Sequence, residues 1–323
     1  MRELLLAPIT ALAATGCWMD PHLDFFSGGG EPYCAEEGVQ FQERAPVVLA
    51  TGAVWRPMFI ASGDVTLAAV PPGVLVAREE EGDLQAIAPG RATVTVEDRT
   101  CDRLARLEVE VRDAAAVAVE PISMAWLEPL PRALAPAGVG IPAGDGVTFG
   151  VIRRDAEGLV LQGAFPNRWT LESSEFEVRP YESPDSDHGD HAKVRSRGVT
   201  GGARLGADGA EGIELVALEA APLVTRVAAH GLGGIEAGGT IELREGAYGI
   251  LQILGYDAAG RLVSQLPDRA ATVAVEPNVA QVVAWSGQGV YVDLRGLTPG
   301  EGTISVSAFG LPLEVPIRVV GGD

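Results

Sequence analysis

Apolar and polar residues alternate with a period of two in many short segments of this chain. In Leu107–Val111 the apolar residues are separated by Glu108 and Glu110, and segment 315–319 repeats the alternation with valine and isoleucine. This period puts one row of side chains on each face of a strand, so each segment predicts a half-buried β-strand. Apart from an apolar run near the N-terminus, no segment sustains a helical period. The pattern predicts an all-β protein.

The chain also repeats itself weakly at intervals of about 100 residues. A turn followed by alternating threonine, valine or isoleucine recurs at Ala86–Val96 and at Arg295–Val306, with Pro-Gly at the turn in both. Arg197–Gly202 resembles the second of these, with Gly201 aligned to the proline. The Pro-Gly pair ends one strand and permits a tight reversal, and the alternation then builds a strand with one buried face.

Two further markers accompany these turns. Asp155–Gly158 matches Asp257–Gly260, and each follows an apolar strand. Aspartate with glycine three residues later is typical of a β-turn, so both segments predict hairpins. Downstream, Trp169–Glu172 resembles Val273–Glu276.

Taken in this order, the segments resemble the bacterial immunoglobulin-like domain of the invasin and intimin kind, group 2. The third copy matches best, and the first keeps only its second half. The resemblance implies tandem immunoglobulin-like β-sandwich modules and concerns the fold far more than the function. The expected divisions are a signal peptide, a flexible tether, domain 1, domain 2 with a polar insert, and domain 3: 1–17, 18–33, 34–113, 114–228 and 229–323.

Composition agrees with this class and limits the partners. The chain has 323 residues, 47% of them apolar, with 41 glycines and 22 prolines, which suits several cores joined by many turns. Its net charge is −20 and Lys193 is its only lysine, so we expect no nucleic-acid partner. The acidity suits solubility and suppressed edge pairing, or alternatively the binding of divalent cations.

The N-terminus carries a candidate export signal. Leu4–Ala14 is apolar, has the length of a signal-peptide core, and is too short to span a bilayer. The small residues Ala14–Gly16 directly before Cys17 resemble the lipobox of bacterial lipoproteins. This resemblance implies lipidation of Cys17 and an envelope location, with the outer membrane expected. The alternative is an ordinary first strand or helix with a buried Cys17.

Two cysteines remain. An exported chain matures in an oxidising compartment, so a disulfide between Cys34 and Cys101 is expected, stabilising the first module by about 4 kcal/mol. The alternative is a pair of free buried thiols.

One segment has the composition of a metal site. Asp185, Asp187, His188, Asp190 and His191 lie within a few residues of one another, and their carboxylates could bind a hard cation or their imidazoles a transition metal. The alternative is a solvated turn between strands.

Binding could also involve an aromatic side chain. Trp285 precedes Ser286–Gly289 at a predicted hairpin tip, where it could hold a sugar or a partner protein. The alternative is that it folds back onto its own module.

The sequence lacks the G-x-S-x-G and H-E-x-x-H motifs of hydrolases, and we expect no enzyme and no cofactor beyond a possible divalent cation. The expected function is that of a lipid-anchored surface protein serving adhesion, display or assembly, with a protein or polysaccharide partner. Two alternatives remain open. One is an accessory subunit of an envelope complex. The other is a metal-dependent or carbohydrate-active protein that uses the Asp185–His191 loop.

Overall fold

The computed structural model describes most of the chain from residue 40 onward. The described residues are 40–41, 47–60, 65–78, 82–99, 102–122, 129–180, 190–198, 200–220, 223–232, 236–237, 239–263, 271–285, 291–308 and 310–321. Within these ranges no helix has the length and hydropathy that a membrane-spanning helix needs.

The described strands form three β-sandwiches in a row, called here module 1 (40–112), module 2 (116–218) and module 3 (226–320). In each module one set of strands pairs in the order A-B-E-D, which module 1 divides between two sheets, and the facing strands have the order A′-G-F-C. This is the arrangement of an immunoglobulin fold, in which the first strand continues onto the second sheet. The predicted all-β, tandem immunoglobulin-like class is confirmed.

Module 1 has the shortest strands near its start. Strands A, A′, B, C, D, E, F and G are β1 (Gln40–Phe41), β2 (Val47–Ala50), β3 with β4 (Val54–Trp55 and Phe59–Ile60), β5 (Val65–Val70), β6 (Leu75–Arg78), β7 (Asp83–Ala86), β8 (Gly90–Asp98) and β9 (Arg103–Arg112).

Module 2 adds a short strand after B and a 3-10 helix at Arg132–Leu134. Its strands are A, β10 (Ala116–Pro121); A′, β11 (Val139–Pro142); B, β12 (Gly146–Arg154); the added β13 (Val160–Leu161); C, β14 (Trp169–Leu171); D, β15 (Phe176–Pro180); E, β16 (His191–Ser196); F, β17 (Thr200–Ala207); and G, β18 (Ile213–Leu218).

Module 3 repeats the added strand and gains one more before A′. Its strands are A, β19 (Arg226–Leu232); the added β20 (Glu236–Ala237); A′, β21 (Thr240–Arg244); B, β22 (Tyr248–Tyr256); the added β23 (Leu262–Val263); C, β24 (Ala271–Glu276); D, β25 (Ala280–Trp285); E, β26 (Tyr291–Gly296); F, β27 (Gly300–Ala308); and G, β28 (Leu311–Val320).

The core of each module is built by the alternation seen in the sequence. Along β9, Leu107, Val109 and Val111 are buried, whereas Glu108 is exposed and Glu110 half-buried. The same alternation along β28 buries Val315, Ile317 and Val319, confirming both predictions. The largest fully buried side chains include Tyr256, Phe149, Leu49 and Leu84.

The repeated turn before strand F depends on glycine. Gly90 and Gly300 have φ angles of 152° and 157°, a region that side-chain-bearing residues rarely adopt. A β-carbon on Gly90 would lie 2.9 Å from Val74, and one on Gly300 would lie 3.1 Å from Val279. The backbone therefore needs both the torsional freedom and the small size of glycine here.

The middle copy of this turn corrects the sequence alignment. Gly201, with φ of 135°, takes the place of Gly90 and Gly300, and not the place of the proline. The N–H groups of Arg197 and Gly198 both donate to the Glu175 carbonyl, as the next module's Leu297 and Thr298 donate to Val279. The hydrogen bonds match Arg197 with Leu297, whereas the φ angles match Gly201 with Gly300, so the middle turn is one residue longer. The gap-free alignment of 197–202 with 295–300 was therefore wrong.

The two Asp-x-x-Gly segments form the predicted hairpin turns. Asp155 Oδ1 accepts from the backbone N–H groups of Glu157 and Leu159, and Gly158 adopts a φ of 86°. Asp257 Oδ1 accepts from Ala259 and Arg261 in the same way. The strands added after these turns, β13 and β23, lie at the boundaries between modules.

Candidate functional site

The predicted acidic loop is described only at its end. Asp185, Asp187 and His188 lie outside the described residues, whereas Asp190 and His191 are described. Within the described ranges, no three His, Cys, Asp or Glu side chains are grouped closely enough to hold a metal ion. Metal binding by the whole loop stays a prediction.

Asp190 is buried inside module 2, and its carboxylate accepts hydrogen bonds from three groups of the protein. Oδ2 accepts from Arg153 Nη1 at 3.0 Å and from the Phe165 N–H at 3.2 Å, and Oδ1 accepts from Asn167 Nδ2. The Arg153 guanidinium in turn stacks on the Phe165 ring, 3.5 Å from its centroid. The structure thus gives Asp190 a packing role at the start of β16.

Burial sets the electrostatics of this group. It raises the pKa of Asp190 to about 7, although Arg153 and the Phe165 N–H act in the opposite direction. Burial likewise lowers the pKa of the Arg153 guanidinium, against the attraction of Asp190. The buried pair therefore holds ionisable groups whose charged forms are disfavoured by burial.

The remaining predicted residues are spread over the chain. His191 opens β16 with a half-buried side chain, and Trp285 is the last residue of β25, opposite Val292 of β26. The side chain of Trp285 lies outside what the structure describes, as do Cys17, Cys34 and Cys101. Their roles as binding residue, lipidation site and disulfide stay predictions.

The structure instead brings together residues at the two boundaries between modules. We call the boundary between modules 1 and 2 junction 1–2, and the next one junction 2–3. At junction 1–2 the chain leaving β13 runs parallel to β2, so that Gln162 lies opposite Leu49. Gln162 N–H donates to the Val48 carbonyl at 2.8 Å, and Ala50 N–H donates to the Gln162 carbonyl at 3.1 Å.

Two residues further on, the same chain pairs antiparallel with module 1. Val54 and Ala164 exchange two backbone hydrogen bonds, at 2.9 and 2.7 Å. Module 2 therefore adds a short strand to module 1 through four backbone hydrogen bonds, which satisfies a sheet edge that would otherwise stay open.

Side chains at junction 1–2 form a small apolar cluster and an ion pair. Val48, Ala50, Ala53 and Leu161 are buried together, with Phe165 packed against them. A β-carbon on Gly163 would lie 2.6 Å from that of Ala53, so the two backbones approach as closely as glycine allows.

The ion pair joins the last strand of module 1 to the turn of module 2. Arg112 Nη1 donates to Asp155 Oδ2 at 2.6 Å, and the same guanidinium donates to Glu110 at 2.9 Å. Burial raises the pKa of Asp155, but the hydrogen bonds from Arg112 and the Leu159 N–H outweigh it and hold that pKa below its usual value.

Junction 2–3 uses the same backbone device. Strand β23 runs parallel to β11, with Leu262 opposite Val139 and Val263 opposite Gly140, so one sheet of nine strands spans modules 2 and 3. The Leu49 and Gln162 pair of junction 1–2 lies one residue further along in the same parallel register. The two junctions therefore share one register.

Apolar side chains dominate junction 2–3. Ala228, Leu254, Tyr256 and Leu262 belong to module 3 but are buried in the core of module 2. Tyr256 is 0% exposed, and its hydroxyl donates to the Leu134 carbonyl at 2.6 Å. Burial raises the pKa of this phenol to about 12, against the effect of Arg226 stacked on its ring.

Sequence reasoning found the Asp-x-x-Gly turns but missed their role. Asp257 meets an arginine of its own turn, Arg261, whereas Asp155 meets Arg112, 43 residues earlier. One signal was available: the strand after each turn is very short and apolar, as suits a strand added to a neighbouring sheet.

Comparisons with known proteins found matches among solved structures. No protein-family model and no curated protein matches this chain. Among solved structures, domains 4–9 of the surface layer protein SbsC share 17% identity over 80% of this chain and 39% of that one, with a TM-score of 0.38.

Two other bacterial proteins also appear among the similar structures. The Escherichia coli adhesin FdeC shares 16% identity over 88% of this chain and 96% of that one, with a TM-score of 0.25. The bacterial integrin-binding protein invasin shares 14% identity over 88% of this chain and 60% of that one, also with a TM-score of 0.25. Likenesses this low carry no functional assignment, so the function is argued from the junctions of the chain itself.

Proposed function

We propose that this chain is a non-catalytic array of immunoglobulin-like modules that holds a binding or assembly surface at the cell envelope. The observation that carries the proposal is that both junctions extend a sheet in the same register. Domains joined only by linkers move freely relative to each other, whereas a shared hydrogen-bond ladder fixes their mutual orientation. A chain that fixes every module in this way acts as a stiff spacer.

The experiment for stiffness is backbone nitrogen relaxation by NMR on the whole chain. We expect residues of all three modules to report one common rotational diffusion tensor. Separate tensors for the modules, with shorter correlation times, would contradict the spacer proposal. Arg179→Gln, which removes an exposed ion pair with Glu177 inside module 2, serves as a control that leaves both junctions intact.

In the proposed location, the chain is exported and attached to the outer membrane by a lipid at Cys17. The apolar Leu4–Ala14 run and the small residues before Cys17 support this part. Expression in a bacterial host with the native N-terminus, followed by membrane fractionation and intact mass, tests it. We expect a lipid-modified chain that starts at Cys17, and a Cys17→Ser variant that leaves the membrane fraction. A full-length chain that starts at Met1 would overturn the anchor.

The proposed partner is a protein or polysaccharide at the cell surface, with no nucleic acid. The net charge of −20 supports the exclusion of nucleic acid, since phosphate backbones repel such a chain. Trp285 at the end of β25 and the Asp185–His191 loop are the proposed contact points. Cation binding by the loop is tested by calorimetry with Ca²⁺ and Zn²⁺, comparing the chain with a His188→Ala/His191→Ala variant.

A further inference from the structure

One end of module 3 repeats the backbone geometry by which module 1 receives module 2. Gly246 and Gly52 stand at the same turn, with φ angles of 78° and 86°. The equivalent hydrogen bonds also match: Glu245 N–H to Val320 in place of Thr51 to Arg112, Ala247 N–H to Arg244 in place of Ala53 to Ala50, and Gly246 N–H to Gly296 in place of Gly52 to Ala86.

This correspondence identifies the groups that would receive a further strand. Arg244 stands where Ala50 stands, Glu242 where Val48 stands, and Tyr248 where Val54 stands. At junction 1–2 the carbonyl of Val48, the N–H of Ala50 and both groups of Val54 bind module 2. In module 3, the described residues of β20 pair with Thr240 and Ile241 of this edge, and the equivalent groups lie beyond these two residues.

Side-chain exposure points to the same end. Tyr248 is 64% exposed and Val320 is 40% exposed, both large apolar side chains open to solvent. Their counterparts at the occupied junctions are half-buried Val54 for Tyr248 and half-buried Leu218 for Val320. An exposed apolar pair beside a sheet edge is typical of an interaction surface.

We propose that this end of module 3, formed by the β21 edge with Tyr248 and Val320, binds the hairpin of a further immunoglobulin-like module. The inference rests on the proposed spacer function, since it extends the same junction by one step. Val320 replaces Arg112, so this position offers no arginine to the incoming turn. The partner hairpin therefore carries an Asp-x-x-Gly-Arg turn that pairs its own aspartate, as Asp257 is paired by Arg261 at 2.7 Å.

The test extends the whole chain by one module. A copy of residues 113–220 carrying Leu159→Arg, which supplies the turn arginine, is joined after Val320. Amide hydrogen exchange is then measured by NMR at Arg244 and Tyr248. We expect exchange at both amides to slow by about tenfold or more relative to the unextended chain, because docking hydrogen-bonds them.

A matched variant isolates the edge contact. Arg244→Pro removes the outward N–H, and module 2 already carries Pro142 at this position, so the fold accommodates proline there. In the extended chain this variant removes one of the four expected hydrogen bonds, and because junction 2–3 forms with Pro142 at the same position, the protection at Tyr248 should fall in part. Protection that persists unchanged in the variant would overturn the proposed register.

Slow exchange in the copy's own β16 shows that the added module is folded. If the amides of Arg244 and Tyr248 then remain unprotected, the inference is overturned. An extension with a copy of residues 219–320 provides a second, independent trial. The spacer function is judged separately, by whether modules 1, 2 and 3 of the unextended chain tumble together. If they do and neither extension docks, only the further inference fails.

Discussion

Junction 1–2 and junction 2–3 share their backbone geometry and differ in their side chains. In both, the strand after an Asp-x-x-Gly turn runs parallel to strand A′ of the preceding module. Junction 1–2 adds an ion pair whose Arg112 side chain is 34% exposed, and junction 2–3 adds a fully buried tyrosine. The comparison indicates that the backbone hydrogen bonds set the orientation of the modules. The side-chain contacts set the strength of each junction and its dependence on solution conditions.

The two kinds of side-chain contact differ in their exposure to solvent, and therefore in their response to salt. Ion pairs that remain partly exposed are weakened by salt and contribute little net free energy. Burial of apolar area is insensitive to moderate salt and stabilises in proportion to the area removed from water. Junction 2–3 should therefore be the stronger of the two, and junction 1–2 the more responsive to ionic strength.

The largest expected effect is at junction 2–3. Tyr256→Ala should lower the free energy of unfolding by about 3–5 kcal/mol, because it leaves a cavity in the core that modules 2 and 3 share. Tyr256→Phe, which removes only the hydrogen bond to Leu134, should cost about 1–2 kcal/mol. Urea denaturation measures both, with the exposed Tyr248→Ala as control. Equal losses for Tyr256→Ala and Tyr248→Ala would contradict the shared core.

The second largest effect is expected from the buried carboxyl group of Asp190, which contacts Phe165 near junction 1–2. The pKa of Asp190 is raised to about 7, so between about pH 4 and 7 the folded chain retains a proton that the unfolded chain releases. This stabilisation is present in full below about pH 4 and is lost as the pH rises to about 7, by about 4 kcal/mol.

Urea denaturation at several pH values checks this slope, and Asp190→Asn should flatten it because the amide mimics the protonated acid. The turn residues Asp155 and Asp257 have lowered pKa values, so their contribution is lost only at more acidic pH. A slope that survives in Asp190→Asn would assign the titration to another group.

A smaller effect is expected where the backbones of modules 1 and 2 meet. Gly163→Ala should destabilise the chain by about 2 kcal/mol, because its φ is 99° and its new β-carbon would meet that of Ala53. Gly209→Ala is matched in backbone, with φ of 70°, but has open space around it. Thermal unfolding should therefore show a larger loss for the first variant. Equal losses would mean that the close approach costs nothing.

The smallest effect on stability is expected from the ion pair. Arg112→Gln should leave the folded modules intact but loosen junction 1–2, so that module 1 tumbles more independently in nitrogen relaxation measurements. Adding salt should produce a similar change in the unmodified chain. Arg179→Gln removes an exposed ion pair with Glu177 within module 2 and should leave the motion of module 1 unchanged. Identical behaviour of the two variants would show that Arg112 does not hold the junction.

The sequence predicted the elements of these junctions better than their contacts. Asp155 and Asp257 were recognised as turn residues because the aspartate-to-backbone bonds are local. Their arginine partners could not be distinguished, since Arg261 lies four residues away and Arg112 lies in another module. Asp190 was interpreted as a candidate ligand from its acidic neighbours, whereas its contacts are Arg153, Phe165 and Asn167, distant in sequence.

The sequence by itself determined the all-β class, the strand alternation and the turn chemistry, because these depend on residues within a few positions of each other. Period-two patterning, glycine at positive φ and aspartate bonded to its own turn all act locally. Only the tertiary structure decided that β13 and β23 join neighbouring modules, and that Tyr256 of one module completes the core of another. Those contacts depend on which sheet edges and core gaps meet in space, and hydrogen bonds between distant strands leave no local pattern in the sequence.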